Sequence, residues 1–181
     1  MKKILFILSS AFILLLTFAA CKKIAQAIFG GFDTVVEFQV SIPAVPLVAP
    51  FEVSLGQFPY KFNLDSVVKA KTSGAFGAGD VKSIKVKQFT ITIPNADPLN
   101  NVSNFQSVRV TIQSNTNNTP AELFAVAFPD TYAASFTTAG NNAELLSYLK
   151  GSDIIYTMYG KNRRITTKSL DIIISVIIRA T

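Results

Sequence analysis

The chain has 181 residues, enough for one domain of ordinary size and too few for two large ones. Hydrophobic residues make up 49% and charged residues 15%, which excludes a wholly disordered chain. Histidine is absent and cysteine occurs once, which excludes Ser-His-Asp and Cys-His catalysis, zinc sites of the Cys/His type and an internal disulfide.

Met1-Lys2-Lys3 opens with positive charge, Ile4 to Phe18 is an apolar run interrupted by Ser9, Ser10 and Thr17, and Phe18-Ala19-Ala20 precedes Cys21. This is the layout of a secretory signal. The apolar run is at the short limit of the roughly 17–25 residues that a membrane span needs. With cysteine directly after the two alanines, the segment resembles the lipobox of bacterial lipoproteins, with Phe18 where that motif usually has Leu.

The resemblance covers the first 21 residues and does not reach the rest of the chain. It implies that residues 1–20 are a signal peptide and that Cys21 is the lipidation residue. The Cys21 sulfur would receive a diacylglycerol and the freed amino group a further acyl chain. Several chains on one residue anchor stably, each buried CH2 contributing about 0.8 kcal/mol. An uncleaved anchor and ordinary secretion are the alternatives. By the same analogy, Lys22 after the cysteine implies the outer membrane, and the lack of acidic residues from Lys22 to Phe32 implies that the domain faces the periplasm. Loss of Lys2 and Lys3 leaves 15 basic against 11 acidic residues, so the net charge falls from +6 to +4. This mild excess suits an anionic membrane surface. No basic stripe has interleaved aromatics, so no nucleic-acid partner is expected.

Residues 21–33 read as the lipidated tether. Ile24, Ala27 and Ile28 fall on one helical face, compatible with a short interfacial helix ended by Gly30-Gly31; a partly ordered tether is the other reading. From residue 34 the period becomes two. Val36, Phe38, Val40 and Ile42 alternate with polar residues as in a strand with one buried face. Pro43, Pro46 and Pro50 impose an extended connection. Phe51, Val53 and Leu55 form a short strand, and Phe58, Tyr60, Phe62 and Leu64 another, which Pro59 places at a sheet edge.

Asn63 or Asp65 caps a brief helix to Lys71, before a glycine-rich loop over Thr72 to Asp80. Val81 to Ile93 changes phase between Val86 and Phe89, which predicts a bulge near Lys87-Gln88. Pro94 to Asn104 is turn chemistry. Val108, Val110 and Ile112 form a strand, Gln113 to Thr119 a loop, and Phe124, Val126 and Phe128 a further strand. Ala143 to Lys150 is predicted as a helix with Asn141 as cap, Glu144 at N3 and Gly151 as stop. Asp153 to Tyr159 is expected to pair through Gly160-Lys161-Asn162 with the run Arg164 to Arg179. In that run Leu170, Ile172, Ile174, Val176 and Ile178 line one face and Ile173 and Ile177 the other, which predicts a central strand covered on both sides.

About seven to nine short strands without strand–helix–strand alternation predict a mainly β domain over residues 34–181. The expected fold is an antiparallel β-sandwich, with an immunoglobulin-like arrangement as one option, one or two short helices, and an up-and-down barrel as the alternative.

Sites for chemistry are sparse. No phosphate-binding loop is present and the acids are scattered singly, so the chain is expected not to be an enzyme and to use no cofactor. Asn95, Asp97, Asn100 and Asn101 offer hard oxygen ligands for Ca2+ but lack the EF-hand spacing and closing Glu, so a solvated turn is expected and no metal. Lys82, Lys85, Lys87, Lys161, Arg163, Arg164 and Lys168 either meet lipid headgroups or an acidic partner, or protect exposed strands. Phe76, alone between glycines, is a candidate partner contact. The function expected is a non-catalytic binding or scaffolding lipoprotein whose partners are the membrane, through Cys21, and an envelope protein. A carrier of an apolar ligand is the alternative, and that reading requires an enclosed cavity of a few hundred Å3.

Overall fold

A computed structural model describes residues 30–181; the leader, Cys21 and the Ile24–Ala27–Ile28 face lie outside them. Eight strands follow one another: β1 (Phe32–Ile42), β2 (Val53–Lys61), β3 (Ile84–Thr92), β4 (Phe105–Ser114), β5 (Asn117–Ala127), β6 (Ser135–Ala139), β7 (Asp153–Asn162) and β8 (Leu170–Ala180). Two short helices interrupt them, α1 (Leu64–Lys71) and α2 (Leu146–Leu149). Among the described residues no helix is long and apolar enough to cross a membrane.

Period-two burial builds the two layers. Val36, Phe38, Val40 and Ile42 of β1 turn inward, as do Leu170, Ile172, Ile174, Val176 and Ile178 of β8. One antiparallel sheet has the order β1-β8-β3-β6 and the other β2-β7-β4-β5. The first strand thus pairs with the last and so on inward, β1 with β8, β2 with β7, β3 with β6 and β4 with β5, while β8 also pairs with β3 and β7 with β4. This is one long hairpin wound into two sheets, the jelly-roll form of the antiparallel sandwich. The β-sandwich with short helices expected from the sequence is what forms. Its winding is neither the immunoglobulin order nor a closed barrel.

Several local expectations hold. The β3–β8 register shifts between Val86 and Gln88, so Lys87 is the bulged residue that lets Ile84, Val86, Phe89 and Ile91 all face inward. β2, which contains Pro59, is an edge strand. Asn63 caps α1 by accepting the Ser66 N–H at 2.9 Å. Gly56 takes φ +143° at a second bulge, in β2, where a side chain would be strained.

Other expectations are corrected. β7 and β8 do not pair: they belong to different sheets, because each carries an apolar face and the two faces meet across the core. β8 is central, but among the described residues no second layer covers Ile173 and Ile177; they are half-buried beside their ladder neighbours on β1 and β3. The helix expected over Ala143 to Lys150 is the single turn α2. Glu144 is drawn away to β3, where its Oε1 accepts the Ile84 N–H at 2.9 Å as well as the Leu146 N–H at 3.1 Å. The loop expected from Gln113 to Thr119 is mostly strand, its turn confined to residues 115–116. β6 escapes sequence reading because Ser-Phe-Thr-Thr-Ala has only one large apolar residue. It is held by its ladder and by hydroxyl pairs, Thr90 with Thr137 at 2.9 Å and Thr92 with Ser135 at 3.0 Å.

Between the sheets the core is full. Phe89 is inaccessible to solvent and stacks on Phe124. The void lined by Ile42, Leu55, Ile91, Phe105 and Met158 measures about 10 Å3, room for no more than about one water. The apolar-carrier reading needs a cavity far larger than this space between the sheets.

Candidate functional site

The register places four connections at one pole. Ile42 of β1 lies opposite Leu170 of β8, Thr92 of β3 opposite Ser135 of β6, and Phe105 of β4 opposite Asn162 of β7. The connections 43–52, 93–104, 128–134 and 163–169 therefore meet at this end, while the chain enters the domain at Phe32, at the opposite pole.

Buried amides lace three of these loops together, and the fourth, 128–134, is tied on by the Val102 N–H to the Ala133 carbonyl at 3.0 Å. Asn104, 2% exposed, donates from Nδ2 to the Leu99 carbonyl at 2.8 Å and to the Ile165 carbonyl at 2.7 Å. Its Oδ1 accepts the Asn101 N–H at 2.9 Å. Asn162 donates to the Leu47 carbonyl at 2.8 Å and accepts the Ala49 N–H at 3.1 Å. Thr166 closes the first loop on the last: its Oγ1 accepts the Val45 N–H at 2.8 Å, and its own N–H reaches the Val45 carbonyl at 3.0 Å. Buried polar groups fully paired in this way make a rigid frame.

The frame turns apolar side chains outward. Seven large hydrophobic residues are exposed among the described residues, and six of them stand on these loops: Leu47, Val48, Phe51, Leu99, Tyr132 and Ile165. Leu47 is 77% exposed and Leu99 68%. Single exposed apolar residues are ordinary, but this concentration at one end, here called the crown, is a feature of interaction surfaces. Ion pairs rim it, Arg164 with Asp130 and Lys168 with Asp97.

The residues singled out in the sequence divide. Of Asn95, Asp97, Asn100 and Asn101, the first two stay at the partly exposed surface of the turn and the last two turn inward. Asn100 and Asn101 are each 2% exposed, and the oxygens of the group are engaged by protein donors. Asp97 accepts from Asn100 Nδ2 at 2.9 Å, the Leu99 N–H at 2.9 Å and Lys168 Nζ at 2.7 Å. Among the described residues no three His, Cys, Asp or Glu side chains converge as a metal site would require. Arg163 and Arg164 are clamps, not strand guards. Arg163 Nη1 donates to the Ser103 carbonyl at 2.9 Å and its Nη2 to the Phe128 carbonyl at 3.0 Å.

Lys82, Lys85 and Lys87 are exposed, yet β3 is not an edge strand. Its first half is flanked by the segment before α2, through the Gly140 N–H to the Lys87 carbonyl at 2.8 Å and the Leu145 N–H to the Ile84 carbonyl at 2.8 Å. Phe76 is half-buried rather than presented, and its N–H is held by Thr72 Oγ1 at 3.2 Å. The crown frame and the aromatic cleft described next were not visible in the sequence. Only the density of Asn, Ser and Thr around residues 95–104 and 162–167 hinted at the frame.

The Lys168 ammonium, then the Asn100 amide, hold the Asp97 carboxyl down at about 2. Its value when unfolded is near 3.9. A depressed carboxylate stabilises the fold above the unfolded value and loses that contribution as pH falls through the folded one. The expected result is that the gap in unfolding midpoint between the wild type and Asp97→Asn narrows as pH drops from about 4 to about 2. Thermal unfolding across that window checks it, and a constant gap refutes the stabilising role of the Asp97 contacts with Lys168 and Asn100.

A second concavity of about 350 Å3 lies between the edge strands β1 and β2, lined by Phe38, Phe58, Pro59, Tyr60 and Tyr156 with Glu37 at its border. Phe38 and Tyr156 stack in parallel with centroids 4.3 Å apart, and Tyr60 tilts against both at 6.2 and 6.0 Å.

No family model matches the chain, and no curated protein does. Among solved structures it is similar to one of infectious bursal disease virus Gt strain, at a TM-score of 0.36 and 10% identity over 83% of this chain and 33% of that one. It is also similar to a carbohydrate-binding module from the β-sandwich superfamily, at a TM-score of 0.34 and 8% identity over 83% of this chain and 56% of that one. The decameric BFDV capsid protein is matched at a TM-score of 0.29 and 9% identity over 83% of this chain and 98% of that one. The chain thus spans about a third of the length of the first of these structures. These likenesses concern the β-sandwich fold alone.

Proposed function

We propose that the chain is a lipid-anchored, non-catalytic binding module of the cell envelope, held at the outer membrane through Cys21, facing the periplasm, and docking a protein partner on the crown. The observation that carries this reading is the crown's place at the pole opposite Phe32. β1 runs 11 residues between the poles, about 36 Å at ~3.3 Å per residue. The tether of residues 21–31 reaches at most about 40 Å when fully extended. Bringing the crown to the anchoring bilayer would require that tether to lie taut along the whole domain, so the crown is better placed to meet something beyond its own membrane. Apolar and aromatic tips ringed by ion pairs have the make-up of a protein interface, with an apolar centre and a polar rim. The hydrogen-bonded frame presents them with little ordering cost.

Photo-crosslinking in the intact envelope tests the proposal, with probes at Leu47 and Tyr132 and a control probe at Thr90 on the outer face of the first sheet. The crown probes are expected to give adducts with a discrete protein, lost in a Val48→Asp/Phe51→Asp variant, and the control none. Fatty-acid label is expected on the wild type and absent from Cys21→Ala. Lipid adducts from the crown would replace the protein partner with a bilayer, and label on Cys21→Ala would remove the anchor.

A further inference from the structure

We infer that the cleft between β1 and β2 is a binding site for a neutral saccharide, independent of the crown and of the anchor. Tyr156 is 3% exposed, and buried polar atoms nearly always have hydrogen-bond partners. The hydroxyl of Tyr148, almost equally buried, follows the rule by donating to the Thr119 carbonyl at 3.1 Å. The Tyr156 hydroxyl has no hydrogen-bond partner among the described residues, yet it is not sealed in the core. Tyr156 lines the cleft together with Tyr60, whose hydroxyl is likewise without such a partner. Burial pushes the Tyr156 phenol above its ordinary value, so it remains a neutral hydroxyl able to donate and accept.

The lining selects the ligand class. An aliphatic ligand would leave both phenols unpaired in a drier cleft, which costs free energy. An anion would find no cation among the described lining residues, whose charged group is the Glu37 carboxylate. What remains is a neutral molecule with an apolar face for the Tyr60 ring and hydroxyls for the two phenols, and a sugar ring has both. The volume of about 350 Å3 falls within the range of roughly 300–1,000 Å3 for small-ligand sites. Pro59 contributes no N–H to the β2 edge, which weakens the competing reading of an extended peptide added as a strand.

The test is calorimetric titration of the full-length protein, in a detergent without a sugar headgroup, with maltotriose, chitotriose and lactose. At least one is expected to bind at millimolar concentration or below. Tyr156→Phe should weaken that saccharide about five- to tenfold, the worth of one hydrogen bond, without lowering the unfolding temperature, because the hydroxyl supports nothing in the protein. Tyr60→Ala, which removes both ring and hydroxyl, should weaken it at least about tenfold. Absence of binding by all three saccharides overturns the proposal. So does binding that Tyr156→Phe leaves unchanged, or a fall in stability with Tyr156→Phe that accounts for the loss. Capture of extended peptides in place of sugars would also overturn it, in favour of strand addition.

Discussion

Ile174→Ala is expected to cost about 2–5 kcal/mol of folding stability, and Ser175→Ala, one residue along, less than about 1 kcal/mol. Ile174 sits mid-strand in β8 and is 1% exposed. It lies opposite Phe38 of β1 and Ile91 of β3, and all three point into the space between the sheets. That space is already filled, so the missing side-chain atoms leave a cavity that surrounding strands, fixed by ladders on both sides, can only partly close. Ser175 points to the other face. Its hydroxyl donates to Glu37 Oε2 at 3.0 Å in an exposed setting, where water replaces the lost bond. Urea unfolding of the full chain, followed by tyrosine emission and circular dichroism, measures both. Equal losses at the two positions would show that β8 is not the centre of the core.

Asn104→Ala is expected to cost about 2–4 kcal/mol, while Asn95→Ala, in the same connection, stays within about 1 kcal/mol. Truncating Asn104 strands the Leu99 and Ile165 carbonyls and the Asn101 N–H in a place water barely reaches. Each stranded group costs about 1–3 kcal/mol, with partial relief from relaxation. Asn95 bonds the Ser169 carbonyl and the Asp171 backbone N–H where both are exposed. The variant has a second signature: Leu99 and Ile165 lose their common clamp, so amide exchange at residues 97–101 and 164–167 should accelerate more than exchange in β8. Uniform acceleration across the domain would mean that Asn104 supports global stability alone and does not organise the crown.

What the sequence by itself determined was local. Alternation in β1 and β8 follows from a side-chain period of two, and Lys87 could be placed in a bulge because the inward phase changes on either side of it. Pro59 excluded an interior ladder position, and Asn63 supplied the oxygen that starts α1. These outcomes depend on residues a few positions apart. Strand partnership does not. β7 and β8 adjoin in the chain, and a hairpin was the natural local expectation; they separate into opposite sheets because two apolar faces bury more surface facing each other than lying side by side. Glu144 looked like a helix-capping acid, and its attraction to the Ile84 N–H, 60 residues away in the chain, shortened the helix. Arg163, Asn104 and Asn162 read as surface polar residues until the winding carried four loops to one pole and gave their side chains buried carbonyls to hold. The Phe38–Tyr60–Tyr156 cleft likewise exists only because the winding leaves β1 and β2 as the edges of two sheets on the same side. Long-range pairing is chosen by the total burial of the whole chain, which no short window of sequence contains.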